Sequence, residues 1–180
     1  VSMDDQQQFY VDNAFLFALA PLAGYLVMAR SVSRRTIGIV TALFVVGAIG
    51  ANVYPTDSGA DVALLTFLHL PIALWLTVGV AYVDGDWRSS PRRMDFLRFS
   101  GEWFIYYVLI ALGGGVLMAL TAGIFEPAGV DVDRIAQWVL PAGAAGGVIV
   151  AAWLVESKQR VVENMAPVLT MLFTPLFAFM

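Results

Sequence analysis

Six stretches of this chain are long enough to cross a lipid bilayer and carry almost no charge. They cover about residues 9–29, 36–56, 62–83, 103–125, 135–155 and 164–180. A helix rises about 1.5 Å per residue, so roughly 20 apolar residues cross the ~30 Å hydrocarbon core. Inside lipid, backbone N–H and C=O groups must bond within the segment, which favours helices. The sequence therefore predicts an all-α fold, a polytopic transmembrane helical bundle with five complete spans and a truncated sixth.

Composition supports the same prediction. Hydrophobic residues make up 59% of the chain and charged residues 13%, against roughly 45–50% and about 25% in soluble proteins. We expect residues 1–180 to form a single transmembrane domain surrounded by the lipid bilayer. The chain begins with Val1 and ends at Met180 inside an apolar stretch, which predicts a fragment of a longer membrane protein.

Several kinds of site are excluded or not expected. The chain has no cysteine, so disulfides and thiolate chemistry are excluded, and its single histidine cannot form a multi-histidine metal site. We expect no metal and no cofactor. The net charge of −4 argues against a nucleic-acid partner.

The basic residues predict the orientation, because all but Arg134 fall in alternate loops. These residues are Arg30, Arg34, Arg35, Arg88, Arg92, Arg93, Arg98, Lys158 and Arg160. Short loops rich in Lys and Arg stay in the cytoplasm. We therefore expect a multi-pass protein of the cell (plasma or inner) membrane, with cytoplasmic arginine-rich loops and the start of the fragment outside.

The loop before the fourth span predicts an extra helical segment. Ser90 followed by Pro91 is typical of a helix N-cap and first helical position. The helix could then begin on the cytoplasmic surface, where three arginines would bind anionic lipid. They are Arg92, Arg93 and Arg98. Four apolar neighbours would dip into the interface: Met94, Phe96, Leu97 and Phe99.

Small residues predict close packing between the fourth and fifth spans. The stripe consists of Ala111, Gly115, Ala119 and Gly123 in span four, with Gly143 and Gly147 in span five. In lipid, small residues four apart let two helix backbones approach closely. The partner of this stripe could instead be another helix or another subunit.

Three prolines predict helix kinks. Pro71 lies in the third span, and Pro167 and Pro175 lie in the sixth. Proline removes a backbone donor and bends a helix. A kinked helix can be a moving part of a transporter or a static shape.

Two polar residues are candidate functional groups within or beside the membrane. Glu102 stands at the cytoplasmic mouth of span four, where it could be a proton or cation site or could simply pair with Arg98. His69 lies inside span three, where it could relay protons or be a neutral group bonded to a neighbouring helix.

Two further patterns have structural interpretations. The spacing of Glu156, Arg160 and Glu163 predicts ion pairs along the surface of a helix extension. Asp84-Gly85-Asp86 resembles the start of a calcium-binding loop, but Arg88 occupies the position where an oxygen ligand is needed. We therefore do not expect a calcium site there.

Specific stretches resemble a known family. They are RFSGEWFIYYVL at 98–109, ALGGGVL at 111–117, AAWLVESKQ at 151–159, ENMAPVL at 163–169 and FTPLF at 173–177. They resemble the bacterial membrane proteins catalogued as domain of unknown function 4153. The resemblance covers about residues 98–180 and implies a multi-spanning membrane protein. It brings no accepted activity, substrate or catalytic residue.

Two functions follow as expectations. The first is a transporter or permease-like protein, because prolines and glycines favour interrupted helices near sparse polar groups. The alternative is a non-transporting scaffold or sensor subunit that binds a partner membrane protein or forms a homo-oligomer. We do not expect an enzyme, because no nucleophile–base pair is recognisable. A polar cavity reaching His69 or Glu102 would favour transport, and a dry bundle would favour the scaffold.

Overall fold

The computed structural model describes the backbone of residues 9–10, 13–53, 60–125, 127 and 132–178, and the side chains of 9–10, 13–53, 64–125, 127, 132 and 135–158. This part of the chain forms five helices and no strand, which confirms the all-α prediction for it. The helices are α1 (Ala14–Ala29), α2 (Arg34–Val53), α3 (Ala60–Tyr82), α4 (Ser90–Phe125) and α5 (Val132–Ala178).

Four helices are long and apolar enough to cross a membrane. The qualifying segments are Arg34–Val53, Leu64–Tyr82, Ser90–Phe125 and Ile135–Lys158. Helix α1 is apolar but has only 16 residues, fewer than the roughly 20 that a span needs. Helical hydrogen bonding begins before α1, since the Asn13 N–H donates to the Phe9 carbonyl at 3.1 Å.

The predicted sixth span is not a separate helix. Helix α5 has 47 residues and is therefore about 70 Å long. It continues as helix through residues 156–163, which the sequence placed between two spans and whose charge spacing predicted a helix extension. Pro167 and Pro175 lie within its helical backbone, and their side chains lie outside the described residues. One long helix thus replaces the two predicted spans.

Helix α4 begins well before the predicted span at residues 103–125, as the sequence indicated. It has 36 residues and is about 54 Å long. The Ser89 carbonyl accepts the first helical bond, from the Arg93 N–H at 3.2 Å, so the cap is one residue earlier than the predicted Ser90. Phe96 and Phe99 are buried inside the protein rather than dipping into lipid. This corrects half of the predicted lipid-facing set, because Met94 and Leu97 are exposed.

The helices pack most tightly at one end of the bundle. The core includes Leu22 and Leu26 of α1, Val78 of α3, Phe99 of α4 and Val155 of α5. All five lie near the turns at residues 30–33 and 83–89, and we call this end the arginine end.

Away from the arginine end, large apolar side chains are exposed. Examples are Leu65, Phe67, Leu120, Ile124 and Trp138. Helix α4 packs most extensively against α5, and α3 packs against both α1 and α2. The bundle is therefore closed at the arginine end and more open at the other.

Candidate functional site

The best-developed polar site lies at the arginine end, where α1 stops. Arg30 follows the last residue of α1, and its guanidinium donates to Oε1 of Glu156 from Nη2 at 2.8 Å and from Nε at 3.2 Å. The side chain of Glu156 is only 11% exposed and that of Arg30 28%. Because a charge-assisted bond strengthens as water is excluded, this ion pair can fix α1 against α5.

An aromatic ring completes this site. The guanidinium carbon of Arg30 lies 3.5 Å from the ring centroid of Tyr82, at the end of α3. The Tyr82 ring lies 4.7 Å from that of Phe99 in α4. A cation over an aromatic face gains electrostatic attraction. Four helices, α1, α3, α4 and α5, therefore meet around a single arginine.

The sequence reasoning missed the partnership of Arg30 and Glu156. It placed Glu156 in a helix-surface pair with Arg160, whose side chain lies outside the described residues. Glu156 is instead buried and paired across the bundle. A signal was available, because each residue is the first charged residue after an apolar span. Both spans end at the same side, so the two charges can meet.

Glu102 forms a second, more exposed cluster between α4 and α5. Its Oε1 accepts a hydrogen bond from Nε of Arg98 at 3.2 Å, as the i, i+4 spacing predicted. The Lys158 ammonium lies 3.7 Å from Oε2. Arg98 and Lys158 are 73% and 50% exposed. Two cations thus neutralise Glu102 from both helices.

Asp84 links the two turns at the arginine end. Its Oδ1 accepts a hydrogen bond from the Ser33 backbone N–H at 3.0 Å, directly before α2. That bond lowers the pKa of the Asp84 carboxyl, and the hydroxyls of Thr36 and Ser33 and the charge of Arg92 lower it further against a small opposing effect of burial. Asp84 therefore binds the backbone directly before α2.

Gly85 makes the turn after α3 possible. Its φ is +72°, in the left-handed region that favours glycine. Its N–H donates to the Val80 carbonyl at 3.0 Å and so closes the end of α3. A side chain at this position would begin 3.1 Å from Oγ1 of Thr36. The first turn of α2 therefore packs against the turn at Gly85.

The arginines at the start of α4 have different surroundings. Arg92 donates to the Val83 carbonyl at 3.0 Å and lies 3.6 Å from Asp86. Arg98 pairs with Glu102. Arg93 has no ion pair with any described residue. Two of the three arginines predicted to bind lipid are therefore occupied by protein groups.

His69 lies on the exposed surface of α3. Its Nδ1 is 2.8 Å from the Leu65 carbonyl, one turn earlier in the same helix. Pro71 lies two residues further along, inside the helix. The structure thus places His69 and Glu102 apart, and His69 bonds to its own helix rather than to a neighbouring one.

An apolar groove of about 540 Å³ opens between α2 and α3. Its lining includes Leu43, Val46, Ala73, Leu76 and Trp87, and does not include His69 or Glu102. The hydroxyl of Thr77, also in the lining, donates back to the Ala73 carbonyl at 2.9 Å. This groove therefore offers apolar contact and no charged group in its wall.

The small-residue stripe is divided between two surfaces. Helices α4 and α5 pack together, and a Cβ at Gly147 would lie 3.3 Å from Cγ2 of Ile110. Gly115, Gly123 and Gly143 have open space around them. Ala111 and Ala119 are also exposed. The predicted pairing of the two helices is present, but among the described residues only Gly147 of the stripe lies in the seam.

Two asparagines form a polar contact at the other end of the bundle. Asn13 and Asn52 exchange hydrogen bonds through their side-chain amides, at 3.1 and 2.8 Å. Asn13 is buried. Amide pairs of this kind hold helices together in lipid. Sequence reasoning missed the pair, because asparagine at the end of an apolar run has many other roles.

Comparison with protein-family models, curated proteins and solved structures finds no match to this chain. The geometry of the site ties helices together through ion pairs.

Proposed function

We propose that this chain is a multi-spanning scaffold subunit of a cell membrane, and that it self-associates through the small-residue stripe of α4. Four helices with the length and hydropathy of membrane spans support the membrane location. The arginine end faces the cytoplasm in this proposal. The orientation is supported by contacts among residues from three alternate loops, which lie at one end of the bundle. They are Arg30, Ser33, Asp84, Lys158 and Glu102. Alternate loops of a multi-spanning protein lie on the same side of the membrane.

A fifth span is part of the proposal. Helix α1 ends at the arginine end, and the Asn13–Asn52 contact ties its beginning to the far end of α2. The Phe17 N–H donates to the Asn13 carbonyl at 3.0 Å, and the Asn13 N–H donates to Phe9. A helix extended to Phe9 would reach about 30 Å, the thickness of the hydrocarbon core.

The exposed stripe on α4 is the observation that carries the scaffold role. The best 18-residue apolar window of α4 has none of its residues buried. Gly115 and Gly123 have no side chain or neighbouring helix within 4 Å of a Cβ placed there. A glycine surface gains little from lipid, but it lets a second helix approach closely. The same stripe on a second copy is a self-complementary partner.

The test uses the absence of cysteine from the chain. A Gly115→Cys variant carries a unique thiol on the stripe, and Leu117→Cys carries one on an exposed position about 200° around the helix. We expect oxidation in membranes to join two Gly115→Cys chains and to leave Leu117→Cys chains separate. A Gly123→Ile change should weaken the first cross-link. Equal cross-linking at both positions, or none at Gly115, would contradict the scaffold.

A permease-like transporter is the second candidate. The observation that favours it is the Glu102 carboxylate, whose Oε2 is buried without a hydrogen bond beside the Lys158 ammonium. Such a group can exchange partners during a transport cycle. Flux into vesicles that contain the full-length protein tests this role. Loss of flux in Glu102→Gln but not His69→Ala would favour transport over the scaffold.

Membership of the bacterial family catalogued as domain of unknown function 4153 is also a proposal. Its support is the motif at residues 98–109, which includes Arg98, Glu102 and Trp103. Two of these residues join α4 to α5. Trp103 donates its indole N–H to the Val148 carbonyl at 3.0 Å, and Glu102 contacts Lys158. We expect proteins of that family to keep this pairing of α4 with α5.

A further inference from the structure

The groove between α2 and α3 has the dimensions of one membrane leaflet. On α3 its lining runs from Leu70 to Val80. Over these residues the helix rises about 15 Å. Half of the hydrocarbon core is about 15 Å. An acyl chain entering at the arginine end would therefore fill the groove and end near the middle of the bilayer.

One arginine of α2 lies on the side that faces the groove. With 3.6 residues per turn, Arg35, Leu43 and Val46 share a face of α2, and the last two line the groove. Arg34 is turned about 100° further away. Arg35 is exposed and has no ion pair with any described residue. Its charge is therefore available at the end of the groove.

A second arginine lies near the same entrance. Trp87 lines the groove, and Arg88 follows it in the turn after α3. Thr36, the residue after Arg35, lies against Gly85 in this turn. Arg88 is exposed, and it too has no ion pair within the described part of the chain. Tryptophan rings favour the headgroup zone of a bilayer. Trp87 therefore indicates that this entrance lies at the depth of the lipid headgroups.

We infer that this groove binds one anionic phospholipid, with its phosphate between Arg35 and Arg88 and an acyl chain between α2 and α3. The charge and the apolar wall match the two parts of that molecule. The arginines of α4 fit it less well, because Arg92 and Arg98 are held by Asp86 and Glu102. The inference rests on the proposed membrane location and is independent of self-association through α4.

Native mass spectrometry of the full chain, purified with equal amounts of phosphatidylglycerol and phosphatidylcholine, tests the site. We expect the protein to retain phosphatidylglycerol in preference to phosphatidylcholine. Each arginine near an anionic headgroup is worth about a fivefold change in affinity, so Arg35→Gln and Arg88→Gln should each weaken retention by about that factor. Arg34→Gln, on another face of α2, is the matched control and should retain the lipid.

A second variant keeps both arginines and blocks the groove. Ala73 is exposed in its wall, so Ala73→Phe fills the space without overpacking the core. We expect this variant to lose the lipid. If it instead changes the oligomeric mass, a helix of another chain is the occupant and the inference is wrong.

Three further outcomes would overturn the assignment. Loss of lipid in Arg34→Gln or Arg93→Gln equal to that in Arg35→Gln would place binding elsewhere or make it nonspecific. Equal retention of both lipids would remove the headgroup preference. Retention of neither lipid by the unmodified chain would also overturn the site, and it would leave the proposed membrane location unaffected.

Discussion

Arg30 donates two hydrogen bonds to one carboxylate oxygen of Glu156, at 2.8 and 3.2 Å, across 126 positions of sequence. The contact fastens the end of the first helix to the last helix. The Tyr82 ring covers the guanidinium at 3.5 Å. Removing either partner of a largely buried pair destabilises the fold, because the remaining charge is left unpaired away from water.

Glu156→Gln should therefore destabilise the protein. The change leaves the Arg30 charge without its carboxylate, and we expect a loss of about 3 kcal/mol, the low end for buried pairs because Arg30 is partly exposed. Chemical denaturation in detergent measures it. Glu102→Gln makes the same change beside exposed partners and should cost at most about 1 kcal/mol. Equal losses in the two variants would contradict the assignment.

The seam between α4 and α5 gives a second prediction. A Cβ at Gly147 would lie 3.3 Å from Ile110 and 3.6 Å from Tyr107, whereas Gly143 faces open space. Gly147→Leu should separate the two helices and cost about 1–3 kcal/mol through overpacking. Gly143→Leu should stay within about 0.5 kcal/mol. Thermal unfolding of the two variants in one detergent compares them, and a larger loss at Gly143 would refute the observed register.

Hydropathy was sufficient to predict most of the helices, because lipid leaves the backbone few alternatives. The helix α4 start near Ser90 was also predictable, since serine and proline there have strong positional preferences. The long helix α5 was not. Residues 156–163 are mostly polar and carry charges in a helical spacing, so their sequence is compatible with both a loop and a helix extension.

The candidate site was less predictable than the fold. The i, i+4 rule found the Arg98–Glu102 pair, because both residues lie on one helix. Arg30 and Glu156 required knowledge of which helix ends are neighbours, which local spacing does not contain. The stripe on α4 pointed to close packing, but Gly115 and Gly123 do not say which helix approaches them.

Acid should weaken the contact between Asp84 and Ser33. The pKa of Asp84 is lowered in the folded protein, so its contribution is fully present above the ordinary aspartate pKa of about 3.9 and is lost as pH falls through the folded value. Asp84→Asn should remove this part of the acid dependence below about pH 4. Unfolding midpoints between pH 3 and 7 measure it. An unchanged pH profile in the variant would mean that Asp84 contributes nothing to stability.

Gly79 provides the last prediction, because its missing side chain makes room for Phe96. A Cβ at Gly79 would lie 2.7 and 2.8 Å from ring atoms of Phe96 and 3.0 Å from the ring of Trp87. Phe96 cannot swing away easily, since it is buried and its ring packs 5.6 Å from that of Tyr82.

Gly79→Ala should therefore push the start of α4 away from α3 and cost about 1–3 kcal/mol. Gly24→Ala, in α1 with no atom within 4 Å, is the matched control. It should be neutral or stabilising, because alanine favours helix over glycine by about 1 kcal/mol. Adding Phe96→Leu to Gly79→Ala should recover part of the loss, since leucine is smaller than the ring. Unfolding free energies of the two single variants and the double variant, each compared with the unmodified protein, test this prediction. If Gly79→Ala behaves like Gly24→Ala, the close approach of α4 to α3 at the arginine end is wrong.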